Sequence, residues 1–358
     1  MATGSRDSNR SSDPSSKSTA EAGADERILI VRLSHLGDVC HALPVYHALR
    51  RTRPGASLAW IVQSEFAPLI EPLPGIARVI RFDRHGGLGA WRRVRREMRA
   101  FDPTWTIDCQ GNLKSAAATL LSGAAKRTGL HPEEWREAFG ARVLTDPAPP
   151  PYGRHAIHRM QSIIECIDFG GEDPDISLPL SEDARTAGRS ALDRRLPDRG
   201  RPRRVLHLGR AGDPRSWPIE HVAVCARSLA DAGEDLLLIA GPAELELGQR
   251  LALQLGDVDG IFHWHDQGGL PELAAFLAAA AEAGIRVIAG DSGPCHLAAA
   301  TGCGIDLIVG SQDPELTGPW PSASTKNSPH RLHRAPSGDR ITDVDPKTVA
   351  GRLLNEDA

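Results

Sequence analysis

The sequence predicts an α/β protein built from two doubly wound domains in tandem. Three observations support this class. At 358 residues the chain exceeds the size of one ordinary core. Short β-branched apolar runs alternate with helical stretches, as in βαβ units with a parallel sheet. Proline-rich segments at 146–153 and 197–202 interrupt this alternation. We therefore expect a disordered tail at 1–26, domains at 27–175 and 203–335 joined by a linker at 176–202, and a C-terminal tail at 336–358.

Composition favours a globular cytoplasmic protein. Hydrophobic residues make up 41% of the chain, charged residues 25%, and the net charge is −4, which gives no global signal for nucleic acid or a membrane surface. The six cysteines include no C-x-x-C pair, which argues for reduced thiols rather than a zinc knuckle or disulfide framework. Residues 1–26 lack the apolar core of a signal peptide, and no apolar run reaches the 18 residues expected of a membrane span.

Each domain has its own set of predicted elements. In the first, the predicted strands are 28–31, 57–62, 78–82 and 104–108, with helices from the 34–38 motif to about 51 and from 111 to 121. In the second, the predicted strands are 205–208, 236–240, 286–289 and 305–309, with helices at 219–232 and near 346–354. In open α/β sheets, ligands bind beyond the carboxyl ends of the strands. Two such sheets facing each other therefore leave a cleft lined by strand-end loops.

The first of these loops carries Ser34-His35-Leu36-Gly37-Asp38. A glycine at a strand-to-helix turn permits close backbone approach. Asp38 then lies at the start of a helix, where a carboxylate caps the helix or stabilises its dipole. A strand-end aspartate beside the cleft can instead accept a proton from a substrate hydroxyl. The spacing alone leaves both interpretations open.

The second loop, at 108–115, ends in a way that is similar to a Walker A motif. We reject that match because Asp108 and Leu113 occupy positions where the motif requires glycine. The polar cluster still follows a predicted strand. Lys114 is therefore either a ligand-binding side chain or part of an ordinary surface helix start.

The third loop, R-A-G-D-P-R-S-W-P at 210–218, lies between a strand and a helix. Gly212 and Pro214 favour a turn. Arg210 or Arg215 can neutralise a phosphate there, since a guanidinium makes bidentate contacts. The alternative is a solvated arginine turn in which Trp217 and Pro218 lead into the helix.

The fourth loop, G-D-S-G-P-C-H-L-A at 290–298, precedes an alanine-rich helix. The free N–H groups of such a helix start form an anion site that suits a diphosphate. The alternative is a simple capped helix, with Ser292 or Asp291 as the cap. His296 lies in the first helical turn, where a single histidine is more often structural than a ligand.

Two further patterns concern anions and metals. A basic run follows the third strand and is either a solvated helix face or a contact for an anionic acceptor; it comprises Arg84, His85, Arg92, Arg93, Arg95, Arg96 and Arg99, with Trp91 among them. The D-x-D matches at 257–259 and 343–345 do not follow clear strands. We therefore predict no metal site.

Taken together, these motifs resemble the ADP-heptose:lipopolysaccharide heptosyltransferase family, the inverting GT-B enzymes of glycosyltransferase family 9. The resemblance runs from about 27 to 320, with the motifs in the family's order and spacing. Its sequence segments are I-L-I-V-R-L-S-H-L-G-D-V-C-H-A-L-P at 28–44, D-C-Q-G-N-L-K-S-A at 108–116, R-S-W-P at 215–218, G-D-S-G-P-C-H-L-A-A-A-T-G at 290–302 and G-S-Q-D-P-E-L-T-G-P-W at 310–320.

The resemblance implies a GT-B fold with two Rossmann-like domains and a metal-independent, cofactor-free transfer of heptose. The implied donor is ADP-heptose, bound mainly by the C-terminal half. The implied acceptor is a lipopolysaccharide inner core or a similar anionic glycolipid at the inner membrane face, to which the protein would be peripheral. Asp38 is the implied base. The implied donor contacts are Arg210, Arg215, Glu244, Asp291, Ser292, Gly293 and His296, and the implied acceptor contacts are Ser34, His35, Gly37, Gln110 and Lys114.

The chain also departs from the family pattern. Arg215 stands where the family commonly has lysine, and the turn from Leu208 to Gly212 lacks hydroxyl side chains. Alternatives are therefore a family 9 transferase with another nucleotide sugar or acceptor, and a nucleotide-sugar binding protein without activity. A Rossmann oxidoreductase is disfavoured, because neither half has G-x-G-x-x-G after its first strand.

Overall fold

The chain forms two parallel six-stranded sheets, each flanked by helices. The structure is a computed structural model that describes residues 25–168, 173–265, 268–335, 338 and 340–356. Most of the predicted disordered tail, residues 1–24, lies outside the described residues. Its last residue, Glu26, pairs with Arg53. The two sheets confirm the predicted class of two doubly wound α/β domains.

The first sheet has the order β3-β2-β1-β4-β5-β6, so β1 lies between β2 and β4. Its strands are β1 (Arg27–Val31), β2 (Ser57–Gln63), β3 (Ile76–Phe82), β4 (Trp105–Asp108), β5 (Lys126–Gly129) and β6 (Asp146–Pro147). Its helices are α1 (Leu36–His41), α2 (Leu43–Thr52), α3 (Ala67–Ile70), α4 (Gly87–Phe101), α5 (Leu113–Ser122) and α6 (Ala156–Glu165).

Strand β1 shows why this sheet is buried on both faces. Ile28 and Ile30 point into one apolar cluster, whereas Leu29 and Val31 point into another on the opposite face. Successive side chains of a strand alternate between faces, and helices cover both faces of a parallel sheet. The continuous apolar run in the sequence is thus explained by burial on both sides.

The second sheet has the order β12-β11-β10-β7-β8-β9, with β10 and β7 at its centre. Its strands are β7 (Arg203–His207), β8 (Asp235–Ala240), β9 (Ile261–His265), β10 (Arg286–Gly290), β11 (Ile305–Val309) and β12 (Arg331–Arg334). The remaining helices are α7 (Glu182–Arg195), α8 (Ile219–Asp231), α9 (Leu245–Leu255), α10 (Leu270–Glu282), α11 (Gly293–Ala300), α12 (Pro314–Thr317) and α13 (Pro346–Glu356).

The predicted linker at 176–202 contains a packed helix. Helix α7 lies against α10, and Gly188 permits the approach because a side chain there would collide with the Ala275 carbonyl. The buried residues Ala191 and Leu192 join an apolar cluster that includes strand residues of both sheets. The two halves therefore share a continuous core. Helix α13, in the predicted C-terminal tail, is also a packed helix: it lies against α8 and contributes Val349, Ala350 and Leu353 to an apolar cluster.

Sequence patterns missed one edge of the first sheet and both edges of the second. Strands β5, β6, β9 and β12 were not predicted, and β6 lies inside the proline-rich break at 146–153. Edge strands such as Arg331–Arg334 carry charged residues in place of a long apolar run. The single helix predicted to about residue 51 is also two helices, α1 and α2. Pro44 explains this division, because proline cannot continue the hydrogen-bond ladder of α1.

Across the described ranges, every helix is too short or too polar to traverse a lipid bilayer.

Candidate active site

Asp38 lies in the first turn of α1, directly beyond the carboxyl end of the central strand β1. The N-cap position belongs to His35, whose side chain makes no capping bond. Asp38 is therefore a first-turn carboxylate and not the cap itself, and 38% of its side chain is exposed. His35 has a φ of 28°, which is unusual for a residue other than glycine and marks a strained turn.

Basic groups surround the Asp38 carboxylate. Arg32 Nη2 lies 2.6 Å from Asp38 Oδ1, and His35 Nδ1 lies 3.5 Å from Oδ2. Burial favours the neutral acid, but the Arg32 charge and the His35 hydrogen bond outweigh it and hold the pKa of Asp38 well below its usual range. The carboxylate is therefore ionised at neutral pH, as a proton acceptor must be.

The loop after β4 supports the loop that carries Asp38. Gln110 Oε1 accepts a hydrogen bond of 2.7 Å from the Leu33 amide, and Gln110 Nε2 lies 3.4 Å from Ser34 Oγ. Lys114 is exposed in the first turn of α5, which Asn112 caps. The structure thus joins Ser34 and Gln110 directly and places Lys114 on the rim of the same sheet edge.

On the opposite side, Asp291 is buried and fully engaged. Asp291 Oδ1 lies 3.0 Å from His296 Nε2, and Oδ2 accepts a 3.2 Å hydrogen bond from Thr317 Oγ1. Only 9% of its side chain is exposed. Asp291 therefore links His296 to Thr317.

Ser292 occupies the N-cap position of α11 without capping it. Its side chain makes no cap hydrogen bond, and its buried Oγ has no hydrogen-bond partner among the described residues. The alternative interpretation, a helix capped by the side chain of Ser292 or Asp291, is therefore wrong. An uncapped helix start keeps its N–H groups available, and such groups attract anions.

The arginine turn lies beside this helix start. Arg215 pairs with Asp213 through two bonds, Nε–Oδ1 at 3.0 Å and Nη2–Oδ2 at 2.8 Å. The turn crosses the end of β10 so closely that a Cβ on Gly290 would lie 2.6 Å from the Arg215 carbonyl oxygen. Arg210 Nε lies 3.8 Å from Glu244 Oε1, so these two predicted donor residues neighbour each other.

Glycines allow the two strand-end loops to meet. A Cβ on Gly37 would lie 2.5 Å from His296 Cδ2, and a Cβ on Gly293 would lie 2.8 Å from Leu36 Cβ. Helices α1 and α11 can therefore pack only with glycine at both positions. This contact brings the Asp38 loop against the Asp291 loop. It also places Gly37 between the halves rather than on the open wall of the cleft.

A group of buried histidines lines this junction, and two of them, His41 and His155, were not predicted from the sequence. The His41 ring centroid lies 4.7 Å from that of His296 and 5.7 Å from that of His155. Burial lowers the pKa of His41 well below its ordinary value and lowers the pKa of His155 to about 4, so both are neutral. His155 Nε2 donates to the Gly318 carbonyl oxygen at 3.1 Å and thereby links the halves.

Arg32, Asp213 and Thr317 were also missed. Arg32 stands directly after a predicted strand, and Asp213 stands two residues before Arg215, so their positions in sequence offered a local signal. Thr317 offered none, since it reaches Asp291 only through the folding of α12.

Helix α4 carries the basic run predicted from the sequence. Arg92, Arg93, Arg95 and Arg96 are exposed, and none of them forms an ion pair within the described part of the chain. The helix packs through Ala90, Val94, Met98 and Phe101. The result is an accessible cationic surface on the first domain.

Both D-x-D matches have structural roles. Asp259 pairs with Arg199 and Arg201, each at 2.7 Å, and Asp345 accepts a 2.8 Å hydrogen bond from the Thr348 amide in α13. No cluster of three or more His, Cys, Asp or Glu side chains with the spacing of a metal site occurs among the described residues.

The arrangement thus combines an ionised carboxylate with an uncapped helix start and an arginine across one narrow junction. Comparison with known proteins identifies the family of this chain. The model of Glycosyltransferase family 9 (heptosyltransferase) matches residues 91–343. Lipopolysaccharide heptosyltransferase 1 of Pseudomonas aeruginosa is 31% identical over 309 residues, which cover 82% of this chain and 81% of that protein.

Two further relatives come from Escherichia coli. Lipopolysaccharide heptosyltransferase 1 of strain K12 is 26% identical, over 82% of this chain and 90% of that protein. The solved structure of heptosyltransferase WaaC with ADP has a TM-score of 0.72 at 24% identity, and the match covers 93% of this chain and all of that one. The shared fold is the GT-B arrangement expected from the sequence. By its family match and its 31% identical relative, the chain belongs to glycosyltransferase family 9, the heptosyltransferases.

Proposed function

We propose that this glycosyltransferase moves a heptose from ADP-heptose to a lipopolysaccharide inner-core acceptor or a similar anionic glycan, with inversion, without a metal, and with Asp38 as the general base. The observation that carries the proposal is the junction of α1 with α11, which sets an ionised carboxylate beside an uncapped helix start.

Asp38 supplies what the nucleophile needs. A sugar hydroxyl is a weak nucleophile, and a positioned carboxylate that accepts its proton contributes about 10²- to 10⁴-fold to the rate. In a single displacement the hydroxyl oxygen bonds to the anomeric carbon as its proton passes to Asp38. The bond from that carbon to the β-phosphate oxygen breaks, and its electron pair leaves with ADP. One such displacement inverts the anomeric centre.

The second domain supplies what the leaving group needs. Negative charge grows on the β-phosphate as the bond breaks, so fixed positive groups there stabilise the transition state more than the ground state. The N–H groups at the start of α11 and the unpartnered Ser292 Oγ are suited to this task. Arg215, held in place by Asp213, adds a guanidinium whose side chain is 51% exposed. These groups provide the charge without a metal ion.

The relatives support the proposed donor and acceptor classes. Curated relatives are lipopolysaccharide heptosyltransferases, and a solved neighbour contains ADP. Arg210 and Glu244, which neighbour each other, are the contacts we propose for the nucleoside side of the donor. Ser34, His35, Gln110 and Lys114 line the acceptor side, with Gly37 closing the junction behind them. The free arginines of α4 suit phosphate or carboxylate groups of a glycolipid at the inner membrane face.

The test is release of ADP from ADP-heptose in the presence of an acceptor that ends in Kdo, followed with and without EDTA. We expect turnover that depends on the acceptor and is unchanged by EDTA. A thermal-shift panel of ADP, UDP and GDP sugars checks the donor, because only a ligand of the folded state raises the melting temperature.

Three outcomes would contradict parts of the proposal. Stabilisation by a UDP or GDP sugar but not by ADP-heptose would overturn the donor. Tight ADP-heptose binding without transfer to any anionic glycan would point to a binding protein. Loss of turnover in EDTA, restored by a divalent cation, would overturn the metal-independent mechanism.

A further inference from the structure

We propose that Arg32 is the positioning residue for Asp38, holding carboxylate oxygen Oδ1 so that Oδ2 is the oxygen that takes the acceptor proton. This inference rests on the proposed function, since it concerns the same transfer. It adds Arg32 to the proposed mechanism and names Asp38 Oδ2 as the proton acceptor.

The guanidinium of Arg32 is fixed at two points. Nη2 lies 2.6 Å from Asp38 Oδ1, and Nη1 donates to the Cys109 carbonyl oxygen just beyond β4. The backbone amide of Arg32, one residue beyond the end of β1, also donates to the Ile61 carbonyl oxygen in β2. Only 11% of the side chain is exposed. Arg32 is therefore anchored to the sheet, and Asp38 is anchored to Arg32.

This anchoring distinguishes the two carboxylate oxygens. Oδ1 faces the buried guanidinium, whereas Oδ2 lies 3.5 Å from Nδ1 of His35, whose side chain is 81% exposed. Solvent and substrate reach the carboxylate from the His35 side. In the transfer step the acceptor hydroxyl proton therefore passes to Oδ2 while Arg32 keeps its own protons and its contact with Oδ1.

The charges near Asp38 are few, which makes the contribution of Arg32 measurable. Besides Arg32, the titratable groups that face Asp38 are His35 and the neutral His41, and Arg84, which precedes α4, acts on His35. His296 on α11 faces His41. Arg32 is the one permanently charged group in contact with the carboxylate among the described residues. Its removal leaves a partly buried carboxylate without a counter-ion.

The chain offers a matched control at the other end of β1. Arg27 also pairs with an aspartate, Asp102 at 2.8 Å, but that aspartate is 80% exposed and lies away from the cleft. Arg32→Met and Arg27→Met thus each remove one arginine–aspartate pair of the same strand. Arg32→Lys keeps the charge, but an ammonium group lacks the planar set of N–H donors with which the guanidinium contacts the Cys109 carbonyl oxygen and the Asp38 carboxylate together.

The experiment measures kcat, KM for ADP-heptose and their pH dependence for these variants, with a ¹³C NMR titration of the Asp38 carboxyl assigned by Asp38→Asn. For Arg32→Met we expect kcat to fall on the order of 10- to 100-fold, since small misplacements of a reacting group have such effects. KM for the donor should stay within about twofold. The Asp38 titration should move up by about one pH unit or more, and the acid limb of kcat with it.

Arg32→Lys should have a lower kcat than the wild type, but the acid limb of its pH profile should lie at the wild-type position. Arg27→Met should match the wild type in kcat and in the position of the acid limb. The proposal is overturned if Arg32→Met binds ADP-heptose normally yet leaves both kcat and the Asp38 titration unchanged. Should Arg32→Met fail to fold, an Arg32→Lys variant with wild-type kcat would overturn it equally. A wild-type protein without turnover would refute the proposed function instead, and the NMR titration would still decide whether Arg32 holds Asp38.

Discussion

The loop between β1 and α1 and the loop between β10 and α11 are counterparts that differ in the state of their aspartates. Each loop follows a central strand, and each has a glycine next to an aspartate in or beside it: Gly37-Asp38 in the first turn of α1, and Gly290-Asp291 at the end of β10. Asp38 is 38% exposed and keeps one oxygen toward the cleft, whereas Asp291 is 9% exposed and uses both oxygens internally. The difference teaches that similar local patterns can produce a partly exposed carboxylate in one domain and a buried, fully hydrogen-bonded one in the other.

The same contrast holds for the hydrogen-bonding groups that remain free. In the first loop the available group is an acceptor, the Asp38 carboxylate. In the second it is a set of donors, the uncapped N–H groups of α11 and the Ser292 hydroxyl. A reaction that moves a proton off one substrate and negative charge onto another needs this pairing.

The largest effect is expected from a substitution of Asp38, the more exposed of the two aspartates. Asp38→Asn keeps the shape of the side chain but removes its basicity, so kcat should fall by on the order of 10³-fold, within the usual range for a general base. Donor affinity, measured by calorimetry with ADP, should remain unchanged because the donor groups lie on the other domain. A variant that retained full transfer activity would show that Asp38 is not the base.

The buried aspartate should respond differently. Asp291→Asn removes the charge that strengthens the contacts with His296 and Thr317; hydrogen bonds to charged groups contribute about 1.5–3 kcal/mol, against about 0.5–1.5 kcal/mol for neutral ones. We expect a lower free energy of unfolding by denaturant titration, together with weaker donor binding. If Asp291→Asn instead lost kcat as severely as Asp38→Asn at unchanged stability, the contrast between the two loops would fail.

The contact between the loops provides the third test. Gly37→Ala places a methyl group 2.5 Å from the His296 ring, and overpacking of this kind costs about 1–3 kcal/mol. Stability and kcat should both decrease, because α1 must move away from α11. Gly89→Ala on α4 is the matched control: it meets no atom within 4 Å and should stabilise the helix slightly. Equal behaviour of the two variants would argue against a close junction.

The smallest effect concerns Ser292. Because its Oγ makes no hydrogen bond in the described structure, Ser292→Ala should leave the free energy of unfolding within about 0.5 kcal/mol of the wild type. ADP affinity should nevertheless fall several-fold, about 1 kcal/mol, through loss of one hydrogen bond to the diphosphate. Unchanged ADP affinity would remove Ser292 from the donor site.

Sequence patterns predicted the strands best where both faces of the strand are buried. The central strands β1, β7, β8, β10 and β11 were predicted, since buried parallel strands have continuous apolar runs. The edge strands β6, β9 and β12 were not, because pairing on one side only imposes no such pattern. The interior strand β5 was missed as well, because its residues Lys126–Gly129 form no apolar run. Helix α7 was assigned to a linker for a related reason: its polar composition hides a narrow buried stripe at Gly188, Ala191 and Leu192.

The sequence by itself determined the fold class, the order of the strand-end loops and the chemical types within them, because these depend on local periodicity and composition. Only the tertiary structure decided which aspartate is open, which glycines face each other and that Arg32 holds Asp38. Those properties arise where α1 meets α11, helices separated by some 250 residues of chain. Exposure and hydrogen bonding at such a contact depend on both helices, and the sequence of one helix contains no information about which residues of the other will pack against it.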